Sequence, residues 1–323
     1  MKIPLYSRLI RRVSSLLPLS GLVPPPPKPE GISAMLRVWN EKDWLEDSII
    51  SIKDHVDEIV AVDTGSTDGS LEILERLEGK VKGLKVFRME RGSIWESSKF
   101  ASDRTSFRWL LKWDADFVAS ADGMDGFAAH LRSLDPRLYY YINPKLIELT
   151  GDFGHQLPRM RVRGDIEAFT SSPAAGYVRV DRTYEKDPYP VKMPCGPGSA
   201  PYRLSFEGVR LAAYYRITEY DGVVGYHVNV KPAIRHLLGY FYSQWLAEGG
   251  RGRLEEYAAE QAAARWGAAG LSQAAEMYMA AYARALSPYD DKLGPLPGNI
   301  RALAARSGYR VVYRDGRPVG RVE

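Results

Sequence analysis

Two aspartates one residue apart, Asp114 and Asp116, are the side chains in this chain whose spacing most suggests chemistry. They follow a largely apolar run at 107–113, which is typical of a buried strand. Alternate residues of a strand point to the same side, so both carboxylates should converge at its end. Open α/β sheets bind ligands at that edge, and Mg²⁺ and Mn²⁺ prefer such oxygen ligands. The pair indicates a divalent-cation site, with a plain acidic turn as the alternative.

A second candidate site follows an earlier apolar strand, which ends in Asp63. The next residues read Thr-Gly-Ser-Thr-Asp-Gly-Ser, in which Gly65 and Gly69 permit tight turns and Thr67 or Asp68 can cap a helix. A carboxylate there can accept hydrogen bonds from a nucleotide base or a ribose hydroxyl. The chain lacks Gly-x-Gly-x-x-Gly after its first strand and lacks a Gly-Lys-Ser/Thr loop, which disfavours dinucleotide dehydrogenases and P-loop NTPases.

Strands and helices alternate from residue 32 onward, which predicts βαβ units and a largely parallel sheet. We expect strands at 32–38, 58–62, 84–87 and 108–113, and helices at 43–53, 70–77 and 98–105. The segment 138–230 reads as further strands and long loops over one end of the sheet. Three amphipathic helices are expected at 233–247, 254–266 and 271–286. Asp315-Gly316 then predicts a terminal hairpin.

Composition excludes several classes of protein. The hydrophobic and charged fractions, 45% and 26%, are those of a soluble globular protein, and a net charge of +4 is too small to indicate nucleic-acid binding. A single cysteine, Cys195, excludes an internal disulfide framework and a cysteine-rich zinc site. We divide the chain into a leader and proline-rich linker at 1–31, an α/β domain at 32–230 and a helical region with the hairpin at 231–323.

The leader carries basic residues at positions 2, 8, 11 and 12 among apolar ones, before a run of prolines at 24–27. This pattern resembles a basic amphipathic helix, which could rest on an anionic membrane surface; a disordered basic leader is the alternative. No apolar run approaches the roughly 20 residues that cross a bilayer, and no signal-peptide cleavage site is evident. We expect a cytoplasmic protein with peripheral membrane contact.

Three motifs together resemble an inverting glycosyltransferase of family 2 with the GT-A fold. They are Asn-Glu at 40–41, Val-Asp-Thr-Gly-Ser-Thr-Asp-Gly-Ser at 62–70 and Asp-Ala-Asp at 114–116. The resemblance covers about 32–117 and implies a nucleotide-sugar donor. It implies that Trp39 stacks on the base, that Glu41 and Asp63 contact base and ribose, and that Asp114 and Asp116 hold Mn²⁺ or Mg²⁺ with the donor's ribose and diphosphate.

The sequence also departs from the family pattern. Thr64 stands where many members have a second aspartate, and Ser97-Ser98 stands where many have Arg-Asn. Lys99 and Arg104 are the nearest cations that could approach the diphosphate, although an ion-paired helix face is the alternative for both.

Two later residues complete the expected site. His227 is placed like the C-terminal histidine that completes the metal site of some GT-A enzymes, with a structural histidine as the alternative. Glu167 is our first choice as the general base for the acceptor hydroxyl, and Glu207, Glu219 and Asp221 are rivals.

The expected reaction moves a sugar from a nucleotide diphosphate, UDP by family habit, to a hydroxyl of a glycan or other acceptor, with inversion. Glycan or surface-polysaccharide synthesis is the expected setting. A nucleotidyltransferase on a similar sheet and a non-catalytic carbohydrate-binding protein remain the alternatives.

Overall fold

A computed structural model describes residues 10, 12–90, 92–164, 166–186, 188, 189, 191, 193 and 202–323. The single cysteine, Cys195, lies outside these ranges. The chain forms two compact units. The first unit consists of 1–147, 162–178 and 208–227, and the second of 148–161, 179–207 and 228–323.

The first unit is built on four parallel strands. They are β1 (Ile32–Val38), β2 (Glu58–Asp63), β3 (Leu84–Arg88) and β4 (Trp109–Lys112), which lie in the order β3-β2-β1-β4. Every residue of β2 is buried, and β1 is buried except for a half-exposed Arg37. Strands covered on both faces are expected to be apolar throughout, so the order and the parallel pairing follow from the sequence pattern.

Four helices connect and extend these strands: α1 (Leu45–Ile52), α2 (Ser70–Glu78), α3 (Ile94–Ser102) and α4 (Ala121–Ser133). Helix α3 begins four residues before the predicted start, because Ser93 and Glu96 form a capping box at its N-terminus. The predicted helix at 98–105 was therefore placed too late. Helix α4 was not predicted.

The remaining strands of the large sheet extend it beyond β4. They are β5 (Phe117–Ala119), β6 (Tyr140–Thr150), β8 (Val162–Arg163), β9 (Ala168–Thr170) and β12 (Arg216–Asn229), and β7 (His155–Gln156) lies outside this sheet. Strand β9 pairs antiparallel with β4 and β6, and β12 pairs antiparallel with β5. The order across the sheet is β3-β2-β1-β4-β9-β6-β12-β5, with β8 beside β6. The expected α/β class is confirmed.

Two further strands, β10 (Ala175–Tyr184) and β11 (Tyr202–Leu211), pair with each other. Together with β6 and β12 they occupy the region predicted as further strands and long loops.

The second unit contains the predicted helical region. Its helices are α5 (Ala233–Ala247), α6 (Leu254–Trp266), α7 (Leu271–Arg284) and α8 (Gly298–Arg306), and a two-residue strand β13 (Ser287–Pro288) pairs with β7. The rings of Phe241 and Trp266 lie 5.3 Å apart in this helical core. Strands β14 (Arg310–Arg314) and β15 (Arg317–Val322) form the predicted hairpin, whose turn residues Asp315 and Gly316 both have positive φ.

Candidate functional site

Asp63 ends strand β2 and is almost fully buried, at 3% exposure. Its Oδ2 accepts hydrogen bonds from the backbone N–H groups of Gly65 and Ser66, at 3.0 and 3.1 Å. Its Oδ1 has no hydrogen-bond partner within the described ranges. A buried carboxylate oxygen without a partner is costly, so this atom is an acceptor that a bound ligand could satisfy.

The loop that follows Asp63 is fastened to the residues after β1. Asn40 has a φ of 53°, a left-handed conformation that asparagine tolerates. Its side-chain oxygen accepts from Thr67 N–H at 2.7 Å, and its own N–H donates to Ser66 Oγ at 2.9 Å. As the sequence predicted, Gly65 and Gly69 have positive φ, at 86° and 101°. The two loops therefore form one hydrogen-bonded rim at the carboxyl ends of β1 and β2.

The N-cap residue of the helix after this loop is Gly69, so the predicted capping by Thr67 or Asp68 was wrong, although Asp68 bonds to the first helical residue. Asp68 Oδ1 accepts from Ser70 N–H at 3.0 Å, and Asp68 Oδ2 accepts from Lys42 N–H at 3.1 Å. Glu41 N–H donates to Ser70 Oγ at 2.9 Å. The side chains of Trp39 and Glu41 are both half-exposed just after β1, at the same rim.

Asp114 and Asp116 lie in a turn rather than in a strand. Strand β4 ends at Lys112, and Phe117 N–H donates to the Asp114 carbonyl at 3.0 Å. The strand-alternation argument for their convergence was therefore wrong, because a turn does not place alternate residues on one side. The two carboxylates are nonetheless close enough that Asp116 disfavours ionisation of Asp114.

Asp114 is held by a basic residue that the sequence analysis did not consider. Arg37, on β1, donates to Asp114 Oδ1 at 2.6 Å. Burial raises the pKa of Asp114, but the Arg37 guanidinium and the Lys112 ammonium more than offset this effect, so its pKa lies below the usual value. The available signal was the position of Arg37, one residue before the end of an otherwise buried strand.

Asp116 is paired with the predicted histidine. His227 lies on β12 opposite Phe117 of β5, and its Nε2 is 3.1 Å from Asp116 Oδ2. Asp116 is 6% exposed. The other ring nitrogen of His227, Nδ1, is 3.0 Å from the Arg163 guanidinium. Since arginine has only donors, it donates to Nδ1, which leaves the ring proton on Nε2, facing Asp116.

The spacing of the Asp116 and His227 atoms bears on the Mn²⁺ or Mg²⁺ that the family resemblance implies. Octahedral Mg²⁺ binds ligands at about 2.0–2.1 Å, which puts adjacent ligands about 3 Å apart, and the Asp116 and His227 atoms have this separation. Among the described residues, no three His, Cys, Asp or Glu side chains are grouped closely enough to hold a metal alone. Asp116 and His227 therefore fit as two ligands of a cation that draws its others from phosphates and water.

Glu167, the predicted base, lies beside strand β4. Its carbonyl accepts from Lys112 N–H at 2.9 Å, and its carboxylate Oε2 accepts from Tyr141 OH at 2.6 Å. The Tyr141 ring also stacks on Phe169, two residues further along. Glu167 directly precedes β9, and because its carboxylate and the Phe169 ring both contact the Tyr141 side chain, the two side chains lie on the same side of the sheet. The rival Asp221 pairs with Lys145 and has a 94% exposed side chain.

A cavity of about 530 Å³ opens on this face of the first unit. Phe169 and Tyr177 supply its rings, and Ser171 supplies a hydroxyl. Three cations and one carboxylate also line it: Lys28, Lys99, Arg210 and Asp103. The charge of the lining is therefore positive, which favours an anionic ligand.

The two cations predicted to approach a diphosphate are engaged elsewhere. Lys99 pairs with Asp103 one turn along α3, at 2.6 Å. The Arg104 guanidinium lies over the Phe100 ring and donates to the Phe100 carbonyl. Arg37 and Arg163, which the sequence analysis did not single out as site residues, are the cations that contact the acidic and histidine side chains of the site.

Comparison with known proteins gives this arrangement a family. Residues 33–178 match the model of glycosyl transferase family 2, and this range includes both loops, the 114–116 turn and Glu167. Over this range the chain is similar to family 2 glycosyltransferases. Together with the β3-β2-β1-β4 order, this match confirms the expected GT-A fold. His227 lies beyond the matched range.

Two curated relatives of the chain are an uncharacterised glycosyltransferase of Rickettsia felis and one of Rickettsia conorii. Each is 34% identical over 105 residues, 31% of this chain. The chain spans about a third of the length of these relatives, 35% and 36%.

Two solved structures are also similar to the chain. A TarS fragment of S. aureus in complex with UDP is 21% identical, with a TM-score of 0.33, over 37% of this chain and 36% of that one. The mannosyltransferase PcManGT of Pyrobaculum calidifontis, in complex with GDP-Man and Mn²⁺, is 15% identical, with a TM-score of 0.40, over 93% of this chain and 88% of that one.

Proposed function

We propose that the protein transfers a sugar from a nucleotide diphosphate to an acceptor hydroxyl with inversion at the anomeric carbon. The observation that carries this proposal is the buried, unsatisfied Oδ1 of Asp63 at the rim of β1 and β2. Uracil presents an N3–H and ribose presents hydroxyls, and either donor would satisfy this acceptor. We therefore assign Asp63 to the nucleoside, with Trp39 and Glu41 beside it on the same rim, and favour a UDP-sugar donor.

The turn at 114–116 receives the diphosphate in this proposal. Asp116 and His227 would hold Mn²⁺ or Mg²⁺, and Asp114 would contact the ribose and the cation. When bound, such a cation stabilises the negative charge that develops on the departing diphosphate. Arg37 holds Asp114 in place through the 2.6 Å ion pair. Arg163 would have to release His227 Nδ1, because a neutral imidazole that ligates through Nε2 carries its proton on Nδ1.

Glu167 is proposed to take the proton of the acceptor hydroxyl. The acceptor oxygen then forms a bond to the anomeric carbon from the face opposite the diphosphate, and the bond from that carbon to the diphosphate oxygen breaks. Tyr141 donates to Glu167 Oε2 and thereby keeps the carboxylate oriented. A base on this side suits inversion, since the two oxygens occupy opposite faces of the sugar.

The acceptor is proposed to occupy the cavity on the same face as Glu167. Phe169 and Tyr177 offer rings on which a sugar can stack, and Arg210 forms no ion pair within the described part of the chain. An acceptor that carries a phosphate or carboxylate would match this lining. Glu167 directly precedes β9 and Ser171 directly follows it, and both bond to the segment of β4, the latter through its N–H to the Arg108 carbonyl at 2.7 Å. The base and the cavity therefore lie beside the same short strand.

The test is a calorimetric panel of UDP-, GDP-, dTDP- and ADP-sugars with and without Mn²⁺, followed by product analysis. We expect one diphosphate donor to bind more tightly with Mn²⁺, and its anomeric configuration to invert on transfer, as read by NMR. Binding without turnover on any acceptor would favour a carbohydrate-binding protein, and pyrophosphate release from a nucleoside triphosphate would favour a nucleotidyltransferase. No response to any donor would overturn the proposal.

A further inference from the structure

The segment at 10–22 has an inverted pattern of burial. Its inward positions are occupied by Ser15, 8% exposed, and by a buried Pro18. Five of its six large apolar side chains are exposed instead: Ile10 42%, Val13 61%, Leu16 53%, Leu19 45% and Leu22 75%, whereas Leu17 is partly buried. A helix that packs only on its own domain would bury these side chains and expose the serine.

This segment concentrates the exposed apolar surface of the molecule. Twelve large apolar side chains are exposed in the described part of the chain, and five of them lie within these 13 positions. Scattered exposed leucines need no explanation, but a contiguous apolar patch marks an interaction surface. The local hydrogen bonds, such as Leu19 N–H to the Leu16 carbonyl at 3.0 Å, hold the segment in a helical course.

The charge of the same region selects the partner. Residues 1–29 include five basic side chains and no acidic one: Lys2, Arg8, Arg11, Arg12 and Lys28. The first acidic residue of the sequence is Glu30. Basic residues that flank an outward apolar surface match an anionic bilayer, which offers both negative headgroups and an apolar interior. A protein partner would need no such uniform charge.

The segment is attached to the first unit immediately after its last apolar residue. Val23 packs against the cluster of buried residues that contains Tyr139, and the Pro24 carbonyl accepts from Tyr139 OH at 3.0 Å. Lys28 donates to Thr105 Oγ1 at 3.0 Å. A partner that binds the segment 10–22 is therefore connected to the rest of the first unit by a short stretch of chain that is itself held in place.

We propose that the segment 10–22 docks the protein on an anionic lipid bilayer, with Leu16 and Leu22 among the side chains that enter the interface and the neighbouring basic residues on the headgroups. This inference is independent of the proposed sugar transfer, because binding requires neither donor nor metal. No helix in the described ranges has the length and apolar content to span a bilayer.

The test is co-sedimentation of the full chain with vesicles of phosphatidylcholine alone or with about a third phosphatidylglycerol, at low and high salt. We expect binding to the anionic vesicles, at least a tenfold loss in the double variant L16E and L22E, and weaker binding at high salt. The matched control is Ile217→Glu, which changes an equally apolar side chain, 46% exposed, far along the chain. It should bind like the wild type.

Three results would overturn the inference. The wild type could fail to bind anionic vesicles, or the double variant could bind as well as the wild type. Third, the wild type could self-associate in sedimentation velocity without binding vesicles, and the double variant could lose that self-association. The segment would then be an interface between copies of the chain. An Asp116→Ala variant should bind vesicles normally, so a failure of the catalytic proposal is distinguishable from a failure of this one.

Discussion

The loop after β2 and the turn after β4 lie at the same edge of the sheet but are stabilised in different ways. The loop is held by backbone and hydroxyl hydrogen bonds, and it leaves Asp63 Oδ1 unsatisfied. In the turn, Asp114 is paired with Arg37, and Asp116 is paired with His227. The nucleoside end of the proposed site is therefore formed before a ligand arrives, whereas the diphosphate end must exchange internal partners for ligand and cation.

The largest effect should follow from removal of Asp116. We expect Asp116→Ala to lower the rate of sugar transfer by about 10³-fold or more, because a cation ligand supplies several kcal/mol of charge stabilisation in the transition state. The rate is measured at saturating donor and Mn²⁺. Asp54→Ala, which alters an exposed surface acid, is the control and should retain full activity. A rate within threefold of the wild type would contradict the proposal that a cation binds at the turn.

Asp63→Asn tests the nucleoside end of the proposed site, at the loop after β2. The amide would place an N–H₂ where a nucleoside donor requires an acceptor, or would oppose the N–H groups of Gly65 and Ser66. Loss of a buried hydrogen bond to a charged group is worth about 1.5–3 kcal/mol, so affinity for UDP should fall by roughly 10- to 100-fold.

Calorimetry with UDP and no metal measures this effect, and it isolates the loop from the turn. Asp54→Asn is the matched control. Equal UDP affinity in wild type and Asp63→Asn would mean that the nucleoside binds away from this rim.

The same contrast explains what the sequence could predict. The β2 loop follows local rules: glycines supply positive φ, and Asp68 accepts from the N–H of Ser70 two residues further on, so residue order alone was sufficient to predict its tight turns. The turn depends on Arg37, Arg163 and His227, which lie 77, 64 and 111 positions along the chain from the partners they contact, Asp114, His227 and Asp116. Pairing at such separations has no local sequence signature. The capping box at Ser93 was readable from the sequence and was missed.

Asn40 joins the loops after β1 and β2, so its replacement should loosen the preformed end. Asn40→Ala removes the 2.7 Å bond from Thr67 N–H and places a β-carbon at a φ of 53°. We expect a loss of about 1–2 kcal/mol in the free energy of unfolding. Asn40→Gly removes the same bond without the backbone strain and should lose less. Urea denaturation measures both, and identical stabilities for the two variants would contradict the conformational part of this account.

The smallest expected effect concerns Arg163 and sharpens the account of the turn. Arg163 donates to His227 Nδ1, an arrangement that leaves the proton on the nitrogen that would bind the cation. Glutamine at this position has a carbonyl oxygen that can accept from Nδ1–H instead, as the partners of metal-bound histidines usually do. Loss of the Arg163 guanidinium also removes its charge repulsion with the metal. Arg163→Gln should therefore tighten Mn²⁺ binding by about three- to tenfold, the equivalent of about 1 kcal/mol.

Titration of free Mn²⁺ followed by electron paramagnetic resonance measures this affinity without any need for turnover. Arg163→Lys keeps the charge and the donor character, so it should bind Mn²⁺ like the wild type. His227→Ala should weaken binding in either background, which ties the effect of Arg163 to the imidazole. If Arg163→Gln binds Mn²⁺ no more tightly than Arg163→Lys, the internal pairing of the turn does not compete with the cation, and the two ends of the site differ less than their contacts imply.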